Sequence, residues 1–422
     1  SHAEEVLSDL KTLTEVIDKK MGDVYPNLRD KLSQVRETIQ QEEENYLGTL
    51  DNGLKLIDKL TKKAKMLNGD DIFKLYDTYG FPKEIIEEIA TERDISLDLS
   101  GFDKLMDQQK IKSKSASNFR VDEADPEIIK HQTLFAGYTE LSSNGEIVEI
   151  ICNDMHMKKI DNVGDEFYII LNKTVFYPEG GGQISDTGSM SNINCQLEVI
   201  NVKKIHNTII HLVRLIEGSL GVGDVVEQNV DQEKRRKTAI NHSATHLMHQ
   251  SLRDILGSHV EQKGSLVTDN HLRFDFSHNK ALSNQEIRNI ETQVTSEISK
   301  SIDTQTKTMG FKEAMKLGAL AFFDEKYGDD VRVIFLGSNS IELCGGTHVS
   351  NTRDIGLFKI VSESSISTGV RRIEAITYQE ANKFFNDLHI QSKLISQQLN
   401  VKSDEITDKI TLMKQEDDRN KK

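Results

Sequence analysis

The sequence predicts a multidomain α+β protein. A helical N-terminal region leads into a small β-barrel, then an α+β domain that carries a metal-ligand set, then C-terminal helices of coiled-coil type. Three observations support this. Apolar residues recur at three- and four-residue steps through the first 118 positions and again after position 380. Between 121 and 229 they fall in short β-branched runs bounded by Gly, Asn and Asp. From 230 to 379 both patterns are mixed. A chain of 422 residues is long enough for several cores.

In the helical region, Val6, Leu10, Leu13 and Ile17 form one amphipathic stripe. Leu28, Leu32, Val35 and Ile39, entered through Pro26, form a second, and Tyr46, Leu50, Leu54, Ile57 and Leu60 a third. Within Leu75-Tyr76-Asp77-Thr78-Tyr79-Gly80-Phe81-Pro82, Gly80 suits a helix stop and Pro82 the first position of the next helix, Lys83 to about Thr91. On physics alone this is a helix-turn-helix corner with aromatic packing. Lys110 to Asn118, with three Lys and three Ser, reads as a linker or a mobile helix end.

The barrel region offers Ile147 to Ile151, Phe167 to Leu171, Cys195 to Val202 and Thr208 to Leu212 as strands of a barrel or sandwich. Inside it stands Phe176-Tyr177-Pro178-Glu179-Gly180-Gly181-Gly182-Gln183. Three consecutive glycines either make a hairpin or bulge, or let the backbone approach a phosphate or ribose closely.

The next helix carries the chemistry. Ile240, Ala244, Leu247, Met248, Leu252 and Ile255 form its apolar stripe, Asp231 can cap its start, and Gly257 can end it. At ~100° per residue, His242, His246 and His249 share roughly the opposite side, with His242 and His246 one turn apart. About a hundred residues on, Cys344 and His348 repeat that spacing. Three imidazoles and a thiolate suit zinc better than magnesium or calcium. The residue after His242 is Ser243, not the Glu of a zinc-peptidase helix, which excludes that chemistry. His249 is left as a surface or second-shell residue. Strands follow at Gly264 to Val267, Leu272 to Phe276, Val331 to Leu336 and Phe358 to Glu363, with a helix from Asn284 to Ile302. After position 380, Phe384, Leu388, Ile395, Leu399, Ile406, Ile410 and Met413 form a stripe that calls for a partner helix or a second copy.

Composition narrows the class. The net charge of −15 speaks against indiscriminate nucleic-acid binding and leaves local clusters such as Lys234 to Lys237. Three cysteines argue against a disulfide framework. No apolar run reaches membrane length and no secretory signal opens the chain, so a cytoplasmic location is expected, with no membrane partner. The start at Ser1 and the stop inside a helical pattern suggest a piece of a longer protein.

Leu75 to Pro82, Phe176 to Gln183, His242 to His246, Gln262-Lys263-Gly264-Ser265 and Cys344-Gly345-Gly346-Thr347-His348 occur in an order and at intervals that strongly resemble the alanyl-tRNA synthetase family, over essentially the whole chain. The zinc motifs alone would also fit free-standing alanyl-tRNA editing proteins; the corner at Tyr76 to Pro82 selects the synthetase. The resemblance implies four regions: 1–118, the end of the tRNA-recognition region; 119–229, the barrel; 230–379, an editing domain; and 380–422, the start of a coiled-coil connector. It implies one Zn2+ on His242, His246, Cys344 and His348, and Thr245 and Gln262 at the hydrolytic centre. Gly180, Gly181, Gly182 and Gln183 would close on the terminal adenosine. Arg371 and Arg372 would meet the tRNA end or form a structural salt bridge.

The implied partner is alanine-specific tRNA, through its acceptor stem and 3′ end, and the implied activity is hydrolysis of Ser or Gly wrongly esterified to it. ATP and Mg2+ would serve only an aminoacylation core outside this chain. The alternative is a tRNA-binding scaffold with a structural zinc, and self-association through the last helices is a further expectation.

Overall fold

The computed structural model describes residues 13–26, 29, 32–61, 65–114, 130–321, 328–367 and 369–420. The chain forms two compact units, Ser1–Arg120 and Val121–Lys422.

The first unit is built on α1 (Leu32–Thr61), α2 (Gly69–Asp77), α3 (Lys83–Arg93) and α4 (Leu99–Lys114). From Leu32 onward the second stripe and the third lie on one continuous helix, because Gln40 to Asn45 between them contain no breaker. Asn68 caps α2, its side chain accepting from Asp71 N–H at 2.8 Å. Gly80 takes φ +65° and lets Phe81 N–H return to Leu75 C=O at 2.9 Å. That places the Phe81 ring in the core with Ile57, Ile72, Leu75, Ile86 and Phe102. Gly53 must be small there, since a Cβ would stand 2.2 Å from that ring. Pro82 is the N-cap of α3, one position earlier than the sequence suggested. Lys110 to Lys114 are the last residues of α4, so of the two readings for this stretch they take the helix end and not the linker. Val6, Leu10, Leu28 and the span 115–118 lie outside the described residues.

The second unit opens with a barrel of β1 (Ser142–Cys152), β2 (Glu166–Leu171), β3 (Gly188–Ser191), β4 (Cys195–Ile205), β5 (Thr208–Gly218) and β6 (Val225–Val230). The strands are antiparallel in the order β1-β2-β5-β4-β3-β6, and β6 pairs back onto β1 to close the sheet. The two staves missing from the sequence reading, β3 and β6, complete this closure. In β6 the inward positions are Val226, Gln228 and Val230. A buried Gln at the middle one breaks the apolar alternation, and it is satisfied by Thr174 Oγ1 at 2.9 Å, Val175 N–H at 3.2 Å and Lys173 C=O at 2.9 Å.

The rest of the unit contains α5 (Gln232–Leu256), β7 (Gln262–Val267), β8 (Leu272–Ser277), α6 (Asn284–Ser299), β9 (Gln305–Gly310), α7 (Phe311–Lys316), β10 (Asp330–Leu336), β11 (Ser340–Leu343), β12 (Phe358–Ser367), β13 (Val370–Thr377), α8 (Tyr378–Leu399) and α9 (Ile406–Asn420). One antiparallel sheet runs β7-β8-β13-β12 and another β9-β10-β11. Asp231 and Gly257 cap α5 as its sequence indicated, with Asp231 accepting from Lys234 N–H at 3.0 Å. Its stripe of Ile240, Ala244, Leu247, Met248 and Leu252 packs with Phe274, Phe276, Ile290 and Val294. Residues Thr238 to His249 are buried on all sides of the helix, so the histidines off the apolar stripe face the interior and not solvent. On α8 and α9, Phe385, Leu388, Ile390, Leu394 and Met413 are exposed.

The basic run at the start of α5 is not one solvated patch. Arg235 is buried, forks onto Asp186 of the barrel, and donates to Gly137 C=O at 2.6 Å and Val175 C=O at 2.9 Å. Arg236 lies 4.8 Å from the centre of the Tyr378 ring.

Candidate metal centre and glycine loop

One turn of α5 puts His242 and His246 side by side, and the loop after β11 brings Cys344 and His348 against them. One ligand atom from each residue lies within 4.8 Å of every other. Cys344 Sγ is 3.5 Å from His242 Nε2 and 3.3 Å from His348 Nε2. Tetrahedral Zn–N and Zn–S bonds of ordinary length put neighbouring ligands roughly 3.3–3.7 Å apart, so the donor set and the two Cys344 distances fit zinc. His246 Nε2 is buried without a hydrogen-bond partner, as a metal-ligating nitrogen would be.

The outward nitrogens are all held. His242 Nδ1 meets Gln183 Oε1 at 2.7 Å, His348 Nδ1 meets Ser243 Oγ at 3.2 Å, and His246 Nδ1 meets the Glu342 carboxylate. This leaves each Nε2 facing the centre. His249 is buried, not on the surface, and its Nδ1 lies 3.2 Å from the oxygen of Glu342 that does not face His246. Burial opposes ionisation of Glu342, but the His246 and His249 imidazoles outweigh it and hold the carboxyl at about 2. Burial likewise opposes the Cys344 thiolate, and the three ligand imidazoles drive its pKa well below the usual range. Burial lowers His348 to about 3, although Cys344 pulls it the other way. Thiolate and neutral imidazole are the forms in which Cys344 and His348 would bind a metal.

The Cys344 loop is fixed through its carbonyls. Arg332 donates to Cys344 C=O at 2.7 Å and Gly346 C=O at 2.9 Å, and its guanidinium lies 4.1 Å from the centre of the Tyr138 ring. Tyr138 OH donates to Gly345 C=O at 2.6 Å. A Cβ at Gly346 would stand 2.1 Å from the His242 ring, so only glycine lets the loop approach.

The glycine loop is a tight turn against β7. Gly180 N–H and Gln183 N–H each donate to the other residue's carbonyl, at 3.1 and 3.0 Å, and Gly181 and Gly182 take φ +58° and +79°. Val267 N–H donates to Gly182 C=O at 2.7 Å, and Gln262 donates to Ser265 Oγ at 3.2 Å. Gly182 leaves no room for a Cβ beside Ser265, which would lie 2.0 Å away. The glycine loop thus meets His242 through Gln183, and its Gly182 packs on Ser265, to which Gln262 donates. Thr245 is buried and its hydroxyl donates to Asn241 C=O at 2.9 Å.

Arg371 and Arg372 lie on β13, a strand the sequence did not reveal. Arg371 forks onto Glu363 at 2.5 and 2.7 Å, and Arg372 onto Asp275 at 2.7 and 2.8 Å. A cleft of about 880 Å3 opens beside His348, walled by Tyr138, Arg236, Arg332, Thr306 and Thr347; Thr245 and Gln262 do not line it. Sequence reasoning missed Glu342, Ser243 as a holder of His348, Arg332 and Tyr138. The signal for Glu342 was an acid between Ile341 and Leu343, two residues before Cys344.

The second unit thus joins a closed barrel to an α/β half that carries the His and Cys cluster. The sequence model of the class II tRNA synthetases (A) matches residues 4–234. That of the threonyl and alanyl tRNA synthetase second additional domain matches residues 331–374, which include Cys344 and His348. The chain belongs to the alanyl-tRNA synthetase family. It is 44% identical over 375 residues to an alanine–tRNA ligase of Stenotrophomonas maltophilia, covering 87% of this chain and 42% of that relative. Against the alanine–tRNA ligase of Alkaliphilus oremlandii the identity is 42%, over 88% of this chain and 44% of the relative. Against that of Staphylococcus aureus it is 41%, over 96% and 47%. The chain thus spans somewhat less than half the length of these relatives. Among the described residues no helix is long and apolar enough to cross a membrane.

Proposed function

We propose that this chain carries the proofreading site of a cytoplasmic alanine–tRNA ligase and hydrolyses Ser or Gly misattached to alanine-specific tRNA. ATP-dependent ligation would belong to the whole protein. The observation that supports this most is the four-donor cluster, built with held outer nitrogens and a glycine loop against one ligand. The chemical need is plain: a pocket sized for alanine cannot reject glycine sterically and rejects an added hydroxyl only weakly.

His242, His246, Cys344 and His348 would hold Zn2+. When bound, the ion supplies Lewis-acid contact for the 3′ end, the ester or its attacking water. The backbone of Gly180 to Gly182 would lie against the terminal adenosine, with Thr245 and Gln262 directing the amino-acid hydroxyl, the ester or the water. For that, Thr245 would exchange its bond to Asn241 for one to the substrate. Arg371 and Arg372 could take phosphate only by giving up their carboxylates, so their first role in this reading is to tie the β8-β13-β12 sheet. The regions 1–118, 119–229, 230–379 and 380–422 would be the tRNA-recognition end, the barrel, the editing domain and the start of a coiled coil, whose exposed apolar residues would pair with another helix.

The test is release of serine from Ser-tRNA specific for alanine by the purified chain, compared with Cys344→Ala and Gln262→His. Hydrolysis lost in both, with zinc content kept only in Gln262→His, is the expected result. An inert parent protein with full zinc would leave the scaffold reading instead.

A further inference from the structure

Gln183 does more than belong to the glycine loop. Its side chain is fully buried, and its amide is used on both sides. Oε1 accepts from Thr347 N–H at 2.9 Å and lies 2.7 Å from His242 Nδ1; Nε2 donates to Thr347 Oγ1 at 3.0 Å. The Thr347 N–H fixes which end of the amide is the acceptor, and an acceptor at Nδ1 fixes the His242 proton there. The Nε2 lone pair of His242 then faces Cys344 and the ligand centre. Gly346 lies under both groups, 2.9 Å from Gln183 Oε1 if given a Cβ, so the amide, imidazole and loop have no slack.

The backbone of the same residue closes the glycine turn onto Gly180, and the next residue, Ile184, donates to Val267 C=O at 3.1 Å. The centre's ligands come from α5 and the Cys344 loop, whereas Gln183 comes from the barrel segment between β2 and β3. One residue thus joins the loop proposed to meet the adenosine with the ring of a metal ligand.

We infer that Gln183 is a positioning residue: it sets the tautomer and tilt of His242, and through it the conformation of the glycine loop sets the metal affinity of the centre. The loop half of this inference rests on the proofreading reading; the His242 half does not. The test uses the whole chain, loaded with zinc or cobalt, with Gln183→Leu, Gln183→Glu and Gly181→Ala, the last being a site where a side chain meets nothing within 4 Å and only the φ of +58° opposes it.

Zinc affinity is read by chelator competition, cobalt d–d bands by absorption, and melting of the metal-free protein separately. Gln183→Leu is expected to weaken zinc by roughly 10- to 100-fold and move the cobalt bands, as loss of an outer-shell partner does. Gln183→Glu, which keeps an acceptor at Nδ1, restores most of the affinity. Gly181→Ala weakens zinc in the same direction. A role in folding alone would lower metal-free melting in Gln183→Leu and leave zinc affinity and cobalt bands unchanged, which would overturn the proposal. Should Gln183→Leu not fold, Gln183→Glu decides: parental affinity and bands support it, and a loss as large as removal of a ligand overturns it. Serine release measured alongside separates the two readings, since shifted zinc affinity with no hydrolysis in the parent removes proofreading and leaves Gln183 in place.

Discussion

Glu342 shows what a single buried charge does in this site. It accepts from two imidazoles, His246 and His249, and is almost fully enclosed. Burial works against its charge and the two imidazoles facing it offset that, while the bond to His246 Nδ1 turns Nε2 to the inner side, where a cation would bind. Glu342→Gln keeps the shape and removes the charge. Zinc should then bind roughly ten-fold or more weakly in chelator competition; unchanged affinity would mean that the carboxylate only fills space. Arg235 poses the complementary case. Replacing it with Ala strands Asp186 in a buried setting and leaves the Gly137 and Val175 carbonyls short of a donor. Urea unfolding should show a loss of about 3–5 kcal/mol, far beyond what removing an exposed member of the same basic run would cost.

At the scale of elements, the barrel carries a pH dependence of its own. His211 on β5 is buried, 2.8 Å from Thr174 Oγ1, and burial pushes it down to about 4 from the ordinary 6.5. The folded barrel therefore keeps His211 neutral in a range where the unfolded chain takes up a proton. Stability from this residue is complete above about pH 6.5 and falls as the pH drops toward 4, by on the order of 3 kcal/mol in all. Urea midpoints of the barrel signal at pH 7.5 and 5 should differ in that direction, and His211→Gln should flatten the difference.

The elements also show which features local pattern could reveal. The caps of α5, the stop at Gly80 and the two pairs of the His and Cys cluster were legible because each depends on spacing of a few residues. The closing strand β6 was hidden because Gln228 occupies an inward position and is satisfied by partners far off in sequence. Strand β13 was hidden because Arg371 and Arg372 interrupt its apolar run, and only their carboxylates on β12 and β8 make them acceptable there. Glu342 and Arg332 were missed for the same reason: long-range pairing, not local composition, decides what a buried charge is for.

At the scale of the whole molecule, the first unit has its core around Leu75 and Phe81, and the second has one core inside the barrel and another between α5, α6 and the β7-β8-β13-β12 sheet. A single two-state transition is then not expected. The candidate ligands His242, His246, Cys344 and His348 all lie in the second unit, so a metal that binds there stabilises that unit by mass action. Calorimetry of the zinc-loaded chain should resolve two transitions. Adding chelator should lower the one followed by barrel signals and leave the helical one in place, and Cys344→Ala should reproduce the chelated trace without chelator. If both transitions moved together on metal removal, the folding of the first unit would have to depend on the centre, and the separate-core account would fail.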